Sequence, residues 1–217
     1  MKNETSLKDT IYSAILDDIL ALEYLPGQIL NEKDMIEKFS CSKAPVREAL
    51  QALCIDGVLR SIPRYGYEVV RLTMDDIREM LQFRIVLESG MIRARGTKLT
   101  PAQLDRLDEI DKLCTEAADD PWTHWAYNTE FHLKLITFCG NSYAVEQLSR
   151  CMTRLRRGYA QMCVNKLTAE PEVDTRHHQP LLKALREKDI ESALIALRAD
   201  LNDFAGMNTG LLADEFK

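Results

Sequence analysis

Apolar residues recur at helical spacing along most of this chain, and one short stretch breaks the rhythm. Leu7, Ile11, Ile15 and Ile19 step by four, with Leu20 and Leu22 beside them, and predict an amphipathic helix over 6–22. Pro26-Gly27 ends it. A second helix is expected from Asn31, a good N-cap residue, through Met35, Ile36 and Phe39. Ser42 is the expected N-cap of a third helix. Pro45 falls in its first turn, and Val46, Leu50 and Leu53 give it a buried side. Gly57 is placed to end it. Two short apolar runs follow, Val58-Leu59 and Tyr67-Val69-Val70. Between them Pro63-Arg64-Tyr65-Gly66 reads as a turn, because Pro fixes φ and Gly permits a positive one. The stretch predicts a two-stranded ribbon with a basic tip.

Helical spacing resumes at Thr73, an expected cap with Asp75 and Asp76 in the first turn behind it. Helices are expected over 74–95 (with Ile77, Met80, Leu81, Ile85 and Leu87 apolar), over 101–118 (Leu104, Leu107, Ile110) and from Pro121 to about Cys139. Three more follow: one capped by Asn141 and running to about 165, one over 172–187, and one from 189 to before Gly210. Nothing after residue 72 reads as a strand. The expected fold is mostly α. A winged helix-turn-helix with a small β-hairpin wing covers 1–71, and an all-α bundle of about six helices covers 72–217. The third helix would enter a major groove, with the wing tip against the backbone or minor groove.

Composition narrows the class. The chain has 217 residues, a length for one or two domains, and a net charge of -6. That total argues against nucleic acid only until the charge is localised. From 38 to 71, Lys38, Lys43, Arg47, Arg60, Arg64 and Arg71 stand against Glu48, Asp56 and Glu68, a balance of +3. The acidic excess lies elsewhere, which favours a specific reader over a general coating protein. Six cysteines without a CxxC pair read as free cytosolic thiols rather than a disulfide frame or a zinc knuckle. The polar start MKNETSLKDT has no apolar core of a signal peptide, and no apolar run is long enough to span a bilayer. A cytoplasmic protein with no membrane partner is expected.

Pro26-Gly27, Leu30-x-Glu32, Phe39-x-Cys-Ser42-Lys-x-Pro45-Val46-Arg47-Glu48-Ala49-Leu50, Leu53, Gly57 and Arg64-x-Gly66 resemble the GntR-type winged-helix regulators. The remainder is similar to the FCD ligand-binding domain of the FadR subfamily. Its marks are Leu72-Thr-x-Asp75-Asp76-Ile77, Arg84-x-x-x-Glu88, Phe131-His132, Gly140-Asn141 and His178-x-x-Leu181-Leu182-x-Ala184-Leu185-x-x-x-Asp189. The resemblance implies a bacterial transcription factor, usually a repressor, acting as a homodimer. Each subunit would read half of an inverted repeat in double-stranded DNA, and a small metabolite in the helical domain would change DNA affinity. The family's DNA contacts carry over to Lys33, Ser42, Lys43, Arg47, Arg64, Tyr65 and Gly66. The family often has Arg where this chain has Lys33 and Lys43. Arginine reads guanine through a planar two-pronged contact, so Arg47 is the candidate base reader and the lysines would position phosphates.

Many FCD domains hold a metal with one Asp and three His. The matching positions are Asn128, His132, His178 and Asp200, so the usual Asp is Asn128 and the usual third His is Asp200. The set still offers two imidazoles, one carboxylate and one amide oxygen, donors that suit zinc, nickel or manganese. The alternative is a polar, metal-free effector pocket on the same residues. Arg84 joins them as a candidate clamp for an effector carboxylate, against the plainer reading of an intrahelical pair with Glu88. His124, one turn before Asn128, is expected at the surface or the cavity rim, and His177 is expected exposed. The implied effector is a small organic or sugar acid or a fatty-acid derivative, and a metal-centred pocket favours the small acids.

Two other classes stay in view. A metal held by two His and one Asp could activate water, as in a hydrolase. Against this, no further carboxylate stands at a motif position to act as general base, and a DNA reader has no role in such an enzyme. A non-enzyme is therefore expected. A protein-interaction role would predict no salt-dependent affinity for operator DNA. If the regulator reading holds, the junction Arg71–Asp75 is the expected hinge.

Overall fold

A computed structural model describes residues 6–164, 178–204 and 207–208. They fall into two compact units. The first takes in the described residues up to Thr73 and the part of one later helix from Arg156 on. The second holds Met74–Leu155 and the described residues from His178 on.

In the first unit, α1 (Leu7–Leu20), α2 (Glu32–Phe39) and α3 (Lys43–Ile55) enclose an apolar core, with α1 and α2 both packed on α3. Ile11, Ile15, Ile19, Met35, Val46, Ala49, Leu50 and Leu53 are buried there. Leu7, the first member of the four-step stripe, is exposed at the helix start. Asn31 and Ser42 hold the expected N-cap positions with extended backbones, but neither side chain makes a cap hydrogen bond. At Ser42 the reason is local: the third helical residue, whose N–H a cap oxygen favours, is Pro45, which has none. Asn31 turns its amide toward the Asp34 carboxylate, 3.4 Å away. Gly57, at φ +67°, ends α3, and Val58 N–H donates back to Leu53 O at 2.8 Å.

The wing carries one strand more than expected. β2 (Leu59–Ile62) pairs antiparallel with β3 (Gly66–Val69), in the register Leu59↔Val69 and Ile62↔Gly66. On the other side of β3 lies β1 (Ile29–Leu30), with Leu30 opposite Tyr67. A two-residue strand has no period to read, so the pattern could not announce it. Gly66 has φ +131°, and a Cβ there would run into Leu30 O. Its role is thus to admit β1 as well as to turn the hairpin.

The expected helices follow: α4 (Met74–Arg95), α5 (Pro101–Glu116), α6 (Pro121–Phe138), α7 (Ser142–Val164), α8 (His178–Arg186) and α9 (Ile190–Asn202), all in the second unit save the part of α7 from Arg156 on. Thr100 and Gln103 form a capping box for α5. Asp120 caps α6 ahead of Pro121, and Asn141 Oδ1 accepts from Ala144 N–H at the start of α7. α5 packs on α6 and α8, and α9 packs on α8 and α4. One expectation fails here. The last helix stops at Asn202, and Asp203–Phe204 (β4) pairs antiparallel with Met207–Asn208 (β5). Strands this short leave no alternation in the sequence. The part of the expected fifth helix before His178, and His177 with it, lies outside the described residues. No helix among the described residues is long and apolar enough to cross a membrane. The cysteines at 41, 54, 114, 139 and 151 are free.

Candidate nucleic-acid interface and candidate metal centre

On the first unit, Ser42, Lys43 and Arg47 are exposed along the opening turns of α3. Lys33 is exposed in the first turn of α2, 3.8 Å from Glu37. Arg64 and Tyr65 are exposed on the loop between β2 and β3, with Gly66 half-buried behind them. Arg64 takes a positive φ of 70° and has no ion-pair partner among the described residues. Arg47 is differently placed. Its Nε lies 2.9 Å from Glu32 Oε1 and its Nη2 3.1 Å from Oε2, a two-pronged pair. Lys43 Nζ lies 3.4 Å from the same carboxylate, and the Tyr67 hydroxyl of β3 donates to Oε1 at 3.2 Å. One acidic side chain thus gathers α2, α3 and the wing. The Arg47 hydrogen bond holds the Glu32 carboxyl below its usual range, outweighing an opposing push from burial.

In the second unit, five helices converge on a buried polar cluster. His132 (α6), His178 (α8) and Asp200 (α9) bring ligand atoms within 4.8 Å of one another. His132 Nε2 lies 3.1 Å from Asp200 Oδ2, and His178 Nε2 lies 3.7 Å from Asp200 Oδ1. The Asn128 amide, one turn before His132, sits 3.4 Å from His178 Nε2. The far side of each ring is tied down. Glu88 Oε2 (α4) lies 2.7 Å from His132 Nδ1, and Asp111 Oδ1 (α5) lies 2.8 Å from His178 Nδ1. Phe131 stacks on His178 with centroids 3.9 Å apart. Each Nδ1–H donates to its carboxylate, so each neutral ring turns its Nε2 lone pair toward Asp200.

This donor set fits a metal ion. Donors around an ion bound at about 2.1 Å lie roughly 3.0–3.4 Å apart, and the two imidazole–Asp200 spacings are 3.1 and 3.7 Å. His132 Nε2 is buried 3.1 Å from Asp200 Oδ2, close enough for the two to face a shared point. Which end of the Asn128 amide faces His178 follows from the hydrogen-bond network. With a cation present its oxygen would turn inward. Without one, the Nε2 lone pair would face the Asp200 carboxylate unless His132 carried a second proton. Its pKa shifts that way: burial lowers it, but Glu88 and Asp200 outweigh burial and raise it. Burial pushes Asp200 up, yet His132, His178 and Arg84 hold it well below the usual carboxylate range.

Arg84 makes the plainer contact that its spacing predicts. Its Nε donates to Glu88 Oε1 at 2.8 Å, four residues on. The pair is nevertheless buried, and Arg84 Nη2 has no hydrogen-bond partner among the described residues. His124 departs from expectation. It is buried rather than at a surface or rim, with Nδ1 2.9 Å from Cys114 O, because α6 packs on α5 at that turn.

Sequence reasoning gave no role at the site to three residues: Glu88, read only as a partner of Arg84, Asp111 and Glu32. Glu88 and Asp111 are further carboxylates at the cluster, although neither is free. Both occupy positions in apolar stripes, Glu88 among Ile77, Leu81, Ile85 and Ile92, and Asp111 among Leu104, Leu107 and Cys114. A charge in a buried stripe is the signal that could have found them. Glu32 stood in the sequence only as part of a motif.

A winged helix with an exposed basic face, joined to a helical bundle around a buried polar cluster, defines a two-domain DNA-binding regulator. The profile of bacterial regulatory proteins of the gntR family matches residues 7–69, and that of the FCD domain matches residues 79–203. The gluconate operon transcriptional repressor of Bacillus subtilis is 40% identical over 185 residues, spanning 82% of this chain and 74% of the relative. The transcriptional repressor RspR of Escherichia coli is 26% identical over 219 residues, 94% of this chain and 92% of the relative. The solved structure of E. coli McbR/YncC shares the fold, with a TM-score of 0.74 at 22% identity over 91% of this chain and 94% of that one. The chain belongs to the gntR family of bacterial regulatory proteins, with an FCD ligand-binding domain in its second part. It is a DNA-binding transcriptional regulator.

Proposed function

We propose that this regulator is a cytoplasmic homodimeric repressor without enzymatic activity. Residues 1–71 read half of an inverted repeat and residues 72–217 bind a small organic or sugar acid whose arrival weakens DNA binding, with Arg71–Asp75 as the hinge. Lys33, Ser42, Lys43, Arg47, Arg64, Tyr65 and Gly66 form the DNA surface. His132, His178 and Asp200, with Asn128 as a weaker oxygen donor, hold a divalent metal. Zinc, nickel and manganese all match the donor types. The metal supplies a positive centre for the effector carboxylate, and Arg84 Nη2 is the second cation within the bundle.

One observation carries the metal reading: both imidazoles turn Nε2 toward one carboxylate while buried acids hold both Nδ1 atoms. The same anchors argue against an enzyme, since Glu88 and Asp111 are engaged and neither is placed as a general base. A second reading, a metal-free anion pocket, draws support from the buried unpartnered Nη2 of Arg84. Untagged protein reconstituted with zinc or nickel and then dialysed separates the two. About one ion per subunit supports the metal site, and clearly sub-stoichiometric metal overturns it. A thermal-shift screen of carboxylates with and without metal then finds the effector. The gluconate operon repressor among the relatives puts sugar acids first.

A further inference from the structure

We propose that Glu32 is a positioning residue that fixes Arg47 for reading guanine, so that preference at one base pair per half-site depends on an acidic side chain. The inference rests on the reading of Arg47 as the base contact. A guanidinium carries five N–H donors in one plane. Glu32 engages Nε and Nη2 through its two oxygens. That leaves both Nη1 protons and the second Nη2 proton. The edge they form presents two parallel donors, the geometry that matches guanine O6 and N7. The pair therefore occupies the side of Arg47 that does not read and leaves the reading edge open.

Glu32 is itself held. The Tyr67 hydroxyl from β3 donates to Oε1, Lys43 approaches Oε2, and the side chain is 23% exposed. The neighbouring Lys33–Glu37 pair offers a contrast, with side chains 85% and 68% exposed and atoms 3.8 Å apart. A carboxylate among DNA-facing cations repels phosphate, so its presence needs a compensating role. Ordering a long side chain before DNA arrives is such a role, because the rotamer entropy of Arg47 is then spent in the free protein.

The test uses the full chain and a duplex that the unaltered protein selects from random-sequence DNA. Affinity is measured for that duplex, for each single base-pair variant of it, and for a random-sequence duplex. Arg47→Ala is expected to flatten the preference at one G·C pair in each half-site. A two-pronged contact gives roughly 5- to 150-fold preference there. Glu32→Gln, which keeps shape and removes charge, is expected to lose about fivefold or more of that preference. Its other base preferences should stay within about twofold and its affinity for random-sequence DNA should equal or exceed that of the unaltered chain. An unchanged thermal midpoint for Glu32→Gln shows that the loss is not one of folding, and Tyr67→Phe should give the same pattern more weakly. If Arg47→Ala flattens the pair while Glu32→Gln leaves it within twofold, Glu32 merely masks charge and the inference falls. If Arg47→Ala changes no base preference, the Arg47 reading fails first.

Discussion

The DNA-reading surface and the bundle interior use the same pairing of acids with bases under opposite conditions. Around Glu32 the partners are partly exposed, water screens them, and such pairs add little to stability. Around Glu88 and Asp111 the partners are buried, and each charge depends on the next for the solvation it has lost. The first arrangement leaves cations available to a ligand that brings its own phosphates. The second holds its donors rigid in a buried cluster. One motif, acid against base, thus occurs both screened at the surface and desolvated in the interior.

Removing one member of an acid–base pair from each region puts this contrast under most strain. Glu88→Ala leaves Arg84 and His132 buried without their anion and is expected to cost about 3–5 kcal/mol of stability in urea unfolding. A loss below about 1 kcal/mol would place that network in the surface class. Arg47→Ala should weaken binding to the selected duplex by about 1–3 kcal/mol while leaving the unfolding midpoint unchanged, as anisotropy and thermal melts can check. Asp111→Asn keeps the fold but replaces the anionic anchor of His178 with a neutral acceptor, and competition titration should show a metal affinity about 10- to 100-fold lower. The smallest expected effect is one of pH. Burial lowers the pKa of His124. The unfolded chain therefore takes up this proton first, so the stabilising part is present above about pH 6.5 and is lost as pH falls below it, levelling off beneath the folded-state value. His124→Gln should remove that component from the difference between unfolding midpoints at pH 7.5 and 5.5.

The helices could be read from the chain because their signals are local. The stripe Ile11, Ile15, Ile19, the proline-led starts at Pro101 and Pro121, the stop at Gly57 and the turn at Pro63–Gly66 each depend on neighbours within a turn or two. Where one local signal overrode another, the expectation missed, as at Ser42, where Pro45 removes the partner a cap would use. β1, β4 and β5 are too short to carry a period at all.

The amino-acid sequence by itself determined the helical plan and the basic face of the winged helix, because these are written in spacing and composition, and its family resemblance pointed to His132, His178 and Asp200 as neighbours. Tertiary structure alone decided which acids act on which bases. Glu32 meets Arg47 across 15 residues and Tyr67 across 35, while Glu88 meets His132 across 44 and Asp111 meets His178 across 67. No helical or strand period reaches that far. The packing of α2 on α3, of α6 on α4 and of α8 on α5 brings these groups within hydrogen-bond distance. The two imidazoles point at one carboxylate because the packed bundle, not the local chain, holds their opposite edges.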